Sequence, residues 1–287
     1  MSARRLRRGL YLAPFDGLSS PAALAELAVA AETAGWDGMF IWDHLLYSAP
    51  VREVADPWIC LAAIAQRTSA ITLGPMVTPL SRRRPQVVAR QALTLDRLAR
   101  GRLVLGFGLG DDGRNGELSR FGEELDPRRR GAMLTEGLTV LSGLLSGEPV
   151  AHQGEHYRAD GVTFLPGPCR AGGIPIWLAS RWPNRRPVRR AAGYDGLFPI
   201  GLSAPGELAT LVGEVTALRG ADAGGFEFVV DFPAGEDPTP WAAAGATWFV
   251  TRFGPGDLDL HSPGVLDHVG AIVEAGPGAV AAPQVPR

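Results

Sequence analysis

Lysine is absent: all 28 basic residues of the 287-residue chain are arginine. That excludes a Schiff-base aldolase, a pyridoxal-phosphate enzyme anchored on its own lysine, and a Walker-type phosphate loop, each of which needs a side-chain amine at the ligand. Net charge is also nearly absent. Thirty acidic residues set against the arginines give −2, so no global field favours nucleic acid or an anionic membrane, and neither is expected as a partner. Cysteine is scarce: Cys60 and Cys169 cannot build a disulfide framework or a four-thiolate zinc site, which points to a reducing compartment. Long apolar runs are missing as well. Gly9–Pro14 is too short for the core of a signal peptide, and no run approaches the 18 or so residues of a membrane span, so a cytoplasmic protein is expected.

What the sequence does hold is alternation. Short, almost continuously apolar runs alternate with longer segments of helical period. The predicted strands are Gly9–Pro14, Gly38–Trp42, Ile71–Val77, Arg102–Phe107, Ile174–Ala179, Gly196–Ile200, Phe226–Asp231 and Thr247–Thr251. Continuous apolarity marks strands covered on both faces, and strand–helix alternation marks a parallel sheet with right-handed crossovers. Ser20-Pro21, Asp56-Pro57 and Asp126-Pro127 read as helix starts, with a cap followed by proline in the first turn; Ser203 and Ser262 are expected to serve similarly. A weak repeat recurs where a helix ends on glycine and a strand begins: Ala34-Gly35-Trp36-Asp37-Gly38, Ala192-Gly193-Tyr194-Asp195-Gly196 and, more loosely, Ala244-Gly245-Ala246-Thr247-Trp248. Eight βα units predict a (β/α)8 TIM barrel over residues 1–275 as a single domain. An open doubly wound sheet is the competitor, but the glycine fingerprint it usually carries after its first strand is replaced by Pro14-Phe15-Asp16-Gly17. Residues 147–173, between the fourth helix and fifth strand, read as an insertion with a hairpin around His152–Tyr157 and Val162–Phe164, and 276–287 as a flexible tail.

In such a barrel the strand C-termini form the functional face. Polar residues there are Asp43 and His44 after strand two, Thr78 and Arg82–Arg84 after strand three, and Gly108 to Asp112 after strand four. Ser180, Arg181 and Trp182 follow strand five, Asp231 strand seven and Arg252 strand eight. A histidine at this face suits proton transfer near neutral pH. Asp111 is placed equally well to cap the next helix. Ala179-Ser180-Arg181, ahead of a helix, offers backbone N–H groups, a hydroxyl and a guanidinium to a phosphate. The runs Arg82–Arg84 and Arg128–Arg130 read as solvated surface, although an anionic cofactor tail would also suit them.

Trp42-Asp43-His44-Leu45, the stretch Ile71 to Pro79, and Arg90 through Gly110 are similar to signatures of the bacterial luciferase-like superfamily of flavin- and deazaflavin-dependent oxidoreductases. Pro175-Ile176-Trp177 with Ala191 to Gly196 resembles a second block. The resemblance implies a barrel that holds FMN or coenzyme F420 at its C-terminal face, acts on a small organic substrate by hydride transfer or monooxygenation, and pairs as a homodimer. It assigns acid–base roles to His44 and Asp111 and ring contact to Asp43. It also puts a non-prolyl cis peptide at Met76–Val77, with Met76, Val77, Thr78, Gly108, Ala179, Ser180 and Arg181 around the cofactor. The sequence departs from the family at Ala179-Ser180, where glycines are common. Two alternatives stay open: a cofactor-binding relative without turnover, and a metal-dependent barrel hydrolase using Asp43, His44, Asp231 and His261. The latter has poor ligand spacing, and no metal site is predicted.

Overall fold

The computed structural model describes residues 5–113, 116–220 and 224–278. The barrel strands are β1 (Arg7–Leu12), β2 (Gly38–Ile41), β3 (Thr72–Pro75), β4 (Thr78–Pro79), β5 (Leu105–Gly108), β8 (Ile176–Arg181), β9 (Gly196–Ile200), β10 (Glu227–Pro233) and β11 (Trp248–Phe253). They pair in the order β3-β2-β1-β11-β10-β9-β8-β5-β4, with parallel registers throughout. The two ends of that order are halves of one strand position. β3 and β4 are separated only by Met76–Val77, whose peptide is cis as expected. Leu73 bridges Leu103 and Thr78 pairs with Phe107, so both halves run beside β5 and the (β/α)8 barrel closes.

Closure depends on residues without a Cβ. A Cβ on Gly74 would stand 1.9 Å from the Val104 carbonyl oxygen, and one on Gly106 would stand 2.5 Å from that of Pro75. These two glycines let the third and fourth strand positions approach backbone to backbone. The barrel interior is solid, filled by a cluster that includes Tyr11, Phe40, Met76, Trp177, Phe198 and Trp248.

The helices are α1 (Pro21–Thr33), α2 (Pro57–Arg67), α3 (Pro85–Leu98), α4 (Pro127–Leu145), α5 (Arg185–Ala191), α6 (Pro205–Arg219), α7 (Thr239–Ala243) and α8 (Val265–Ala275). Three predicted caps form: Ser20 accepts from Ala23 N at 3.3 Å, Asp56 from Trp58 N at 2.9 Å and Asp126 from Arg128 N at 2.8 Å. The two later ones do not. Ser203 pairs with Glu207, whose carboxylate takes the Ser203 and Ala204 N–H groups just ahead of α6, and α8 follows Gly264 without a side-chain cap. Among the described residues no helix is long and apolar enough to cross a membrane.

The threefold repeat has a physical meaning. Asp37 accepts from Arg8 N at 2.8 Å while its own N–H donates to Arg8 O. Asp195 does the same to Ile176, and Thr247 to Phe228. Each copy therefore clamps the start of one strand to the start of the neighbouring strand, at the closed end of the barrel.

Arg102 serves the same end. Only 8% exposed, it donates five hydrogen bonds, to Ala99 O, Thr68 Oγ1, Ile71 O, Ala65 O and Thr68 O. It ties the end of α2 to the turn after α3. Lysine offers three donors instead of a five-donor fork, so at about 1 kcal/mol per bond Arg102→Lys is expected to cost roughly 2 kcal/mol in urea unfolding; an unchanged midpoint would show the fork to be dispensable.

The insertion forms the antiparallel hairpin β6 (Val150–Gln153) and β7 (Arg158–Val162). Its arms differ from the expected ones, because Gly154 to Tyr157 is the turn, closed by Gly154 N to Tyr157 O. Glu136 of α4 pins that turn through the N–H groups of His156 and Tyr157 and the His152 ring at 3.1 Å. Of the expected tail, residues 279–287 lie outside the described residues.

Candidate active site

At the C-terminal end of the barrel, β2 delivers Asp43 and His44 to a common rim. The His44 ring packs against Phe15, Trp42 and Tyr47, which leaves its side chain 25% exposed. Its Nδ1 lies 2.7 Å from Glu117 Oε2. The other oxygen of Glu117 takes the Leu45 and Leu46 N–H groups and Arg82 Nη1 at 3.1 Å. Burial alone would push this carboxyl up, but the His44 hydrogen bond, the charges of His44 and Arg82, and the Leu45 N–H bring it below the ordinary glutamate range. Glu117 is therefore a carboxylate and only accepts, so His44 Nδ1 carries the hydrogen of that bond. The remaining nitrogen, Nε2, takes no part in that bond.

Asp43 stands behind the rim. Its side chain is fully buried and receives Thr78 Oγ1 at 2.7 Å, Trp58 Nε1 at 3.3 Å, Arg82 Nη2 at 2.7 Å and Arg83 Nη2 at 3.1 Å. Arg82, 2% exposed at the side chain, bridges Asp43 and Glu117. The reading of Arg82–Arg84 as solvated surface is thus corrected for Arg82: two buried carboxylates draw it inward. In Arg128–Arg130, Arg130 is likewise buried and donates to the Glu124 and Leu125 carbonyls.

Asp111 does not reach this group. Its side chain is 75% exposed, with Arg181 at 4.0 Å. The acid on His44 is Glu117, six positions later in the same loop. Asp112 closes that loop by accepting from Leu118 N and Ser119 N at 2.8 and 2.9 Å, which positions Glu117 beside it. Several acids in one βα loop, Asp111, Asp112 and Glu117 among them, were a visible signal; which of them turns inward was not.

The other predicted residues occupy the barrel's upper layer. Met76 is fully buried in the interior cluster, while Val77 and Ala179, with Trp42 and Ile200, are half-buried on top of it. Gly108 lies beneath Val77, since a Cβ there would come within 2.8 Å of Val77 Cγ2. Ser180 is 3% exposed and its hydroxyl donates to Asn184 O at 3.1 Å. Arg181 extends into solvent, 64% exposed.

Beside this layer opens a cleft of about 310 Å³ with an apolar floor of Tyr11, Trp42, Phe198 and Ile200 and a charged wall of Asp231, Arg252 and Asp257. Arg252 Nη1 binds Asp231 Oδ2 at 2.7 Å, and its Nε and Nη2 hold Asp257 bidentately at 2.8 and 3.0 Å. Burial moves the Asp231 carboxyl upward against the opposing pull of Arg252. Asp231 and Arg252 lie inside strands because β10 and β11 run two residues beyond their predicted ends. Sequence reasoning found those two as strand-end residues and missed Asp257.

The metal-hydrolase alternative finds no support: among the described residues no group of three or more His, Cys, Asp or Glu is set to hold a metal. Asp43 and Asp231 are paired with arginines, and His261 meets Pro50 O at 2.9 Å.

A relative in Nakamurella multipartita named F420-dependent glucose-6-phosphate dehydrogenase is 36% identical over 191 residues, 64% of this chain and 54% of the relative. One of the same name in Segniliparus rotundus is 32% identical over 241 residues, 80% of this chain and 69% of the relative. The aligned part thus spans from about half to two thirds of these relatives' length. Among solved structures, an F420-dependent secondary alcohol dehydrogenase in complex with an F420–acetone adduct superimposes with a TM-score of 0.78 at 19% identity, covering 97% of this chain and 100% of that one. The F420-dependent tetrahydromethanopterin reductase of Methanopyrus kandleri gives 0.74 at 16% identity over 94% and 97%. At such identities these two speak for the fold. The model of the luciferase-like monooxygenase family matches residues 7–268, and the chain belongs to that family.

Proposed function

We propose that the protein is an F420-dependent oxidoreductase that moves a hydride between the cofactor and a carbon of a small organic substrate, with FMN as the runner-up cofactor. The observation that carries this reading is the His44–Glu117 pair at 2.7 Å, whose imidazole packs against Trp42, one of the residues on the aromatic floor of the cleft. The residues suit a flat heterocycle. Trp42, Val77, Ala179 and Ile200 offer an apolar seat, His44 a donor or acceptor at its edge, and the exposed Arg181 a cation for an anionic tail. When bound, the cofactor supplies or accepts the hydride. The chain's own part is to seat the ring, exclude water, and move one proton at His44 Nε2 while Glu117 fixes the imidazole. The shared name of the curated relatives favours F420 over FMN.

Fluorescence titration tests the cofactor: quenching of F420 at micromolar concentration with FMN at least about tenfold weaker is expected, and binding of FMN with no binding of F420 contradicts it. We extend the reading to a homodimer, supported by the family resemblance and by Ile59 and Val87, exposed apolar residues on the neighbouring helices α2 and α3. A monomeric mass in light scattering contradicts that part.

A further inference from the structure

The curated relatives are named for a phosphorylated sugar, and recognition of a phosphate monoester calls for cations that are free to meet it. Among the described residues the cleft of this chain does not offer one. Arg252, the lone basic residue among those lining it, uses Nε, Nη1 and Nη2 on Asp231 and Asp257. Two carboxylates against one guanidinium give the wall a formal charge of −1. Protonation of Asp231, which burial favours, brings that only to neutrality. The described cations of the Asp43–Glu117 cluster are engaged too: Arg82 by Asp43 and Glu117, and Arg83 by Asp43. Arg181 stands outside the cleft at the exposed end of β8. The rest of the described lining is the apolar floor with Pro255 and Gly256.

We propose that the cleft takes an uncharged, largely apolar alcohol, or the corresponding carbonyl compound in the reverse direction, and rejects phosphorylated and carboxylated substrates. The inference rests on the oxidoreductase reading above. In the oxidative direction the substrate's O–H proton passes to His44 Nε2 and its carbinol C–H leaves as hydride, with both electrons, to the oxidised deazaflavin. The C–O single bond becomes C=O, so the alcohol is oxidised by two electrons and the cofactor reduced by two. Asp231 and Asp257 act as specificity residues. A substrate anion placed beside them meets like charge in a half-dry wall, whereas a hydroxyl or carbonyl on an apolar body does not.

The test uses the full-length, F420-loaded protein and a panel of uncharged alcohols, each paired with a counterpart that differs only by an added carboxylate, such as benzyl alcohol and 4-(hydroxymethyl)benzoate. Glucose 6-phosphate is the phosphate probe. The uncharged members are expected to show kcat/KM about 100-fold or more above their anionic counterparts. Asp231→Asn with Asp257→Asn, which frees Arg252, is expected to narrow that ratio at least about tenfold, through the KM of the anions. If the double variant does not fold, Asp257→Asn alone reads the same trend at smaller size. Preference for glucose 6-phosphate or for the carboxylates, turnover of no uncharged alcohol, or a ratio indifferent to both variants overturns the proposal. Failure of the cofactor reading is seen separately, as F420 that does not bind. Saturation-transfer NMR on the protein without cofactor then still reports whether the cleft takes the uncharged partner of each pair and refuses the anionic one.

Discussion

Replacing His44 by alanine is expected to lower kcat of the F420-loaded protein by about 10²–10⁴-fold and to leave F420 affinity within a few-fold. In the proposed reading the imidazole handles the reacting proton, whereas the ring would rest on Trp42, Val77, Ala179 and Ile200, which pack together on the interior cluster. Glu117→Gln is expected to fall short of that loss. The amide keeps the shape, but it can turn its NH2 toward an Nδ1 that accepts instead of donating, and so releases the imidazole from the tautomer the carboxylate imposes. It also changes the acid limb. Glu117 has its folded-state pKa held below the ordinary value, so its stabilisation is fully present above that ordinary value and is lost as pH falls through the lowered one. The wild-type thermal midpoint should therefore drop on that side of the profile, and the Gln variant should drop less. Equal kcat for wild type and His44→Ala with a good alcohol or carbonyl substrate would remove the imidazole from the chemistry.

Removing the Arg82 guanidinium is expected to be the most destabilising single change at the rim. Arg82→Ala leaves Asp43 and Glu117, whose side chains are 0% and 4% exposed, with one cation fewer between them. Breaking a buried charge group by deleting one partner costs about 3–5 kcal/mol. Urea unfolding followed by tryptophan fluorescence checks the value. Arg83→Ala is the informative control: Arg83 also reaches Asp43 but is 18% exposed, so its loss should cost about 1 kcal/mol. Equal effects of the two variants would show that Arg82 is not the keystone of the cluster. Because the same guanidinium orients Glu117, any Arg82→Ala protein that folds should also lose kcat, in the manner of a positioning residue.

The barrel was legible in the sequence for a plain reason. Strands buried on both faces are written as unbroken apolar runs, and the Asp-Pro and Ser-Pro starts announce helices at the spacing a βα unit needs. Even the threefold repeat encoded something real, the clamp that Asp37, Asp195 and Thr247 each make on the strand beside them. His44 was legible because a strand end fixes where it stands. Glu117 was not. Its partner lies 73 residues away, and the loop that carries it turns by local hydrogen bonds to Asp112, so no periodicity marks which acid faces inward. The same limit explains Arg82, read as solvated until the two carboxylates that bury it are seen to converge, and Asp257, whose contact with Arg252 depends on β11 running past its predicted end.

The central claim is that His44, fixed by Glu117, borders the place where the redox ring lies. A crystal structure of the protein soaked with F420 tests it most directly. The account predicts the ring against Trp42, Val77, Ala179 and Ile200, with His44 Nε2 within hydrogen-bonding reach of the reacting face or of a substrate seated on it. A ring bound elsewhere on the barrel, or one whose reacting face is turned away from His44, would contradict it.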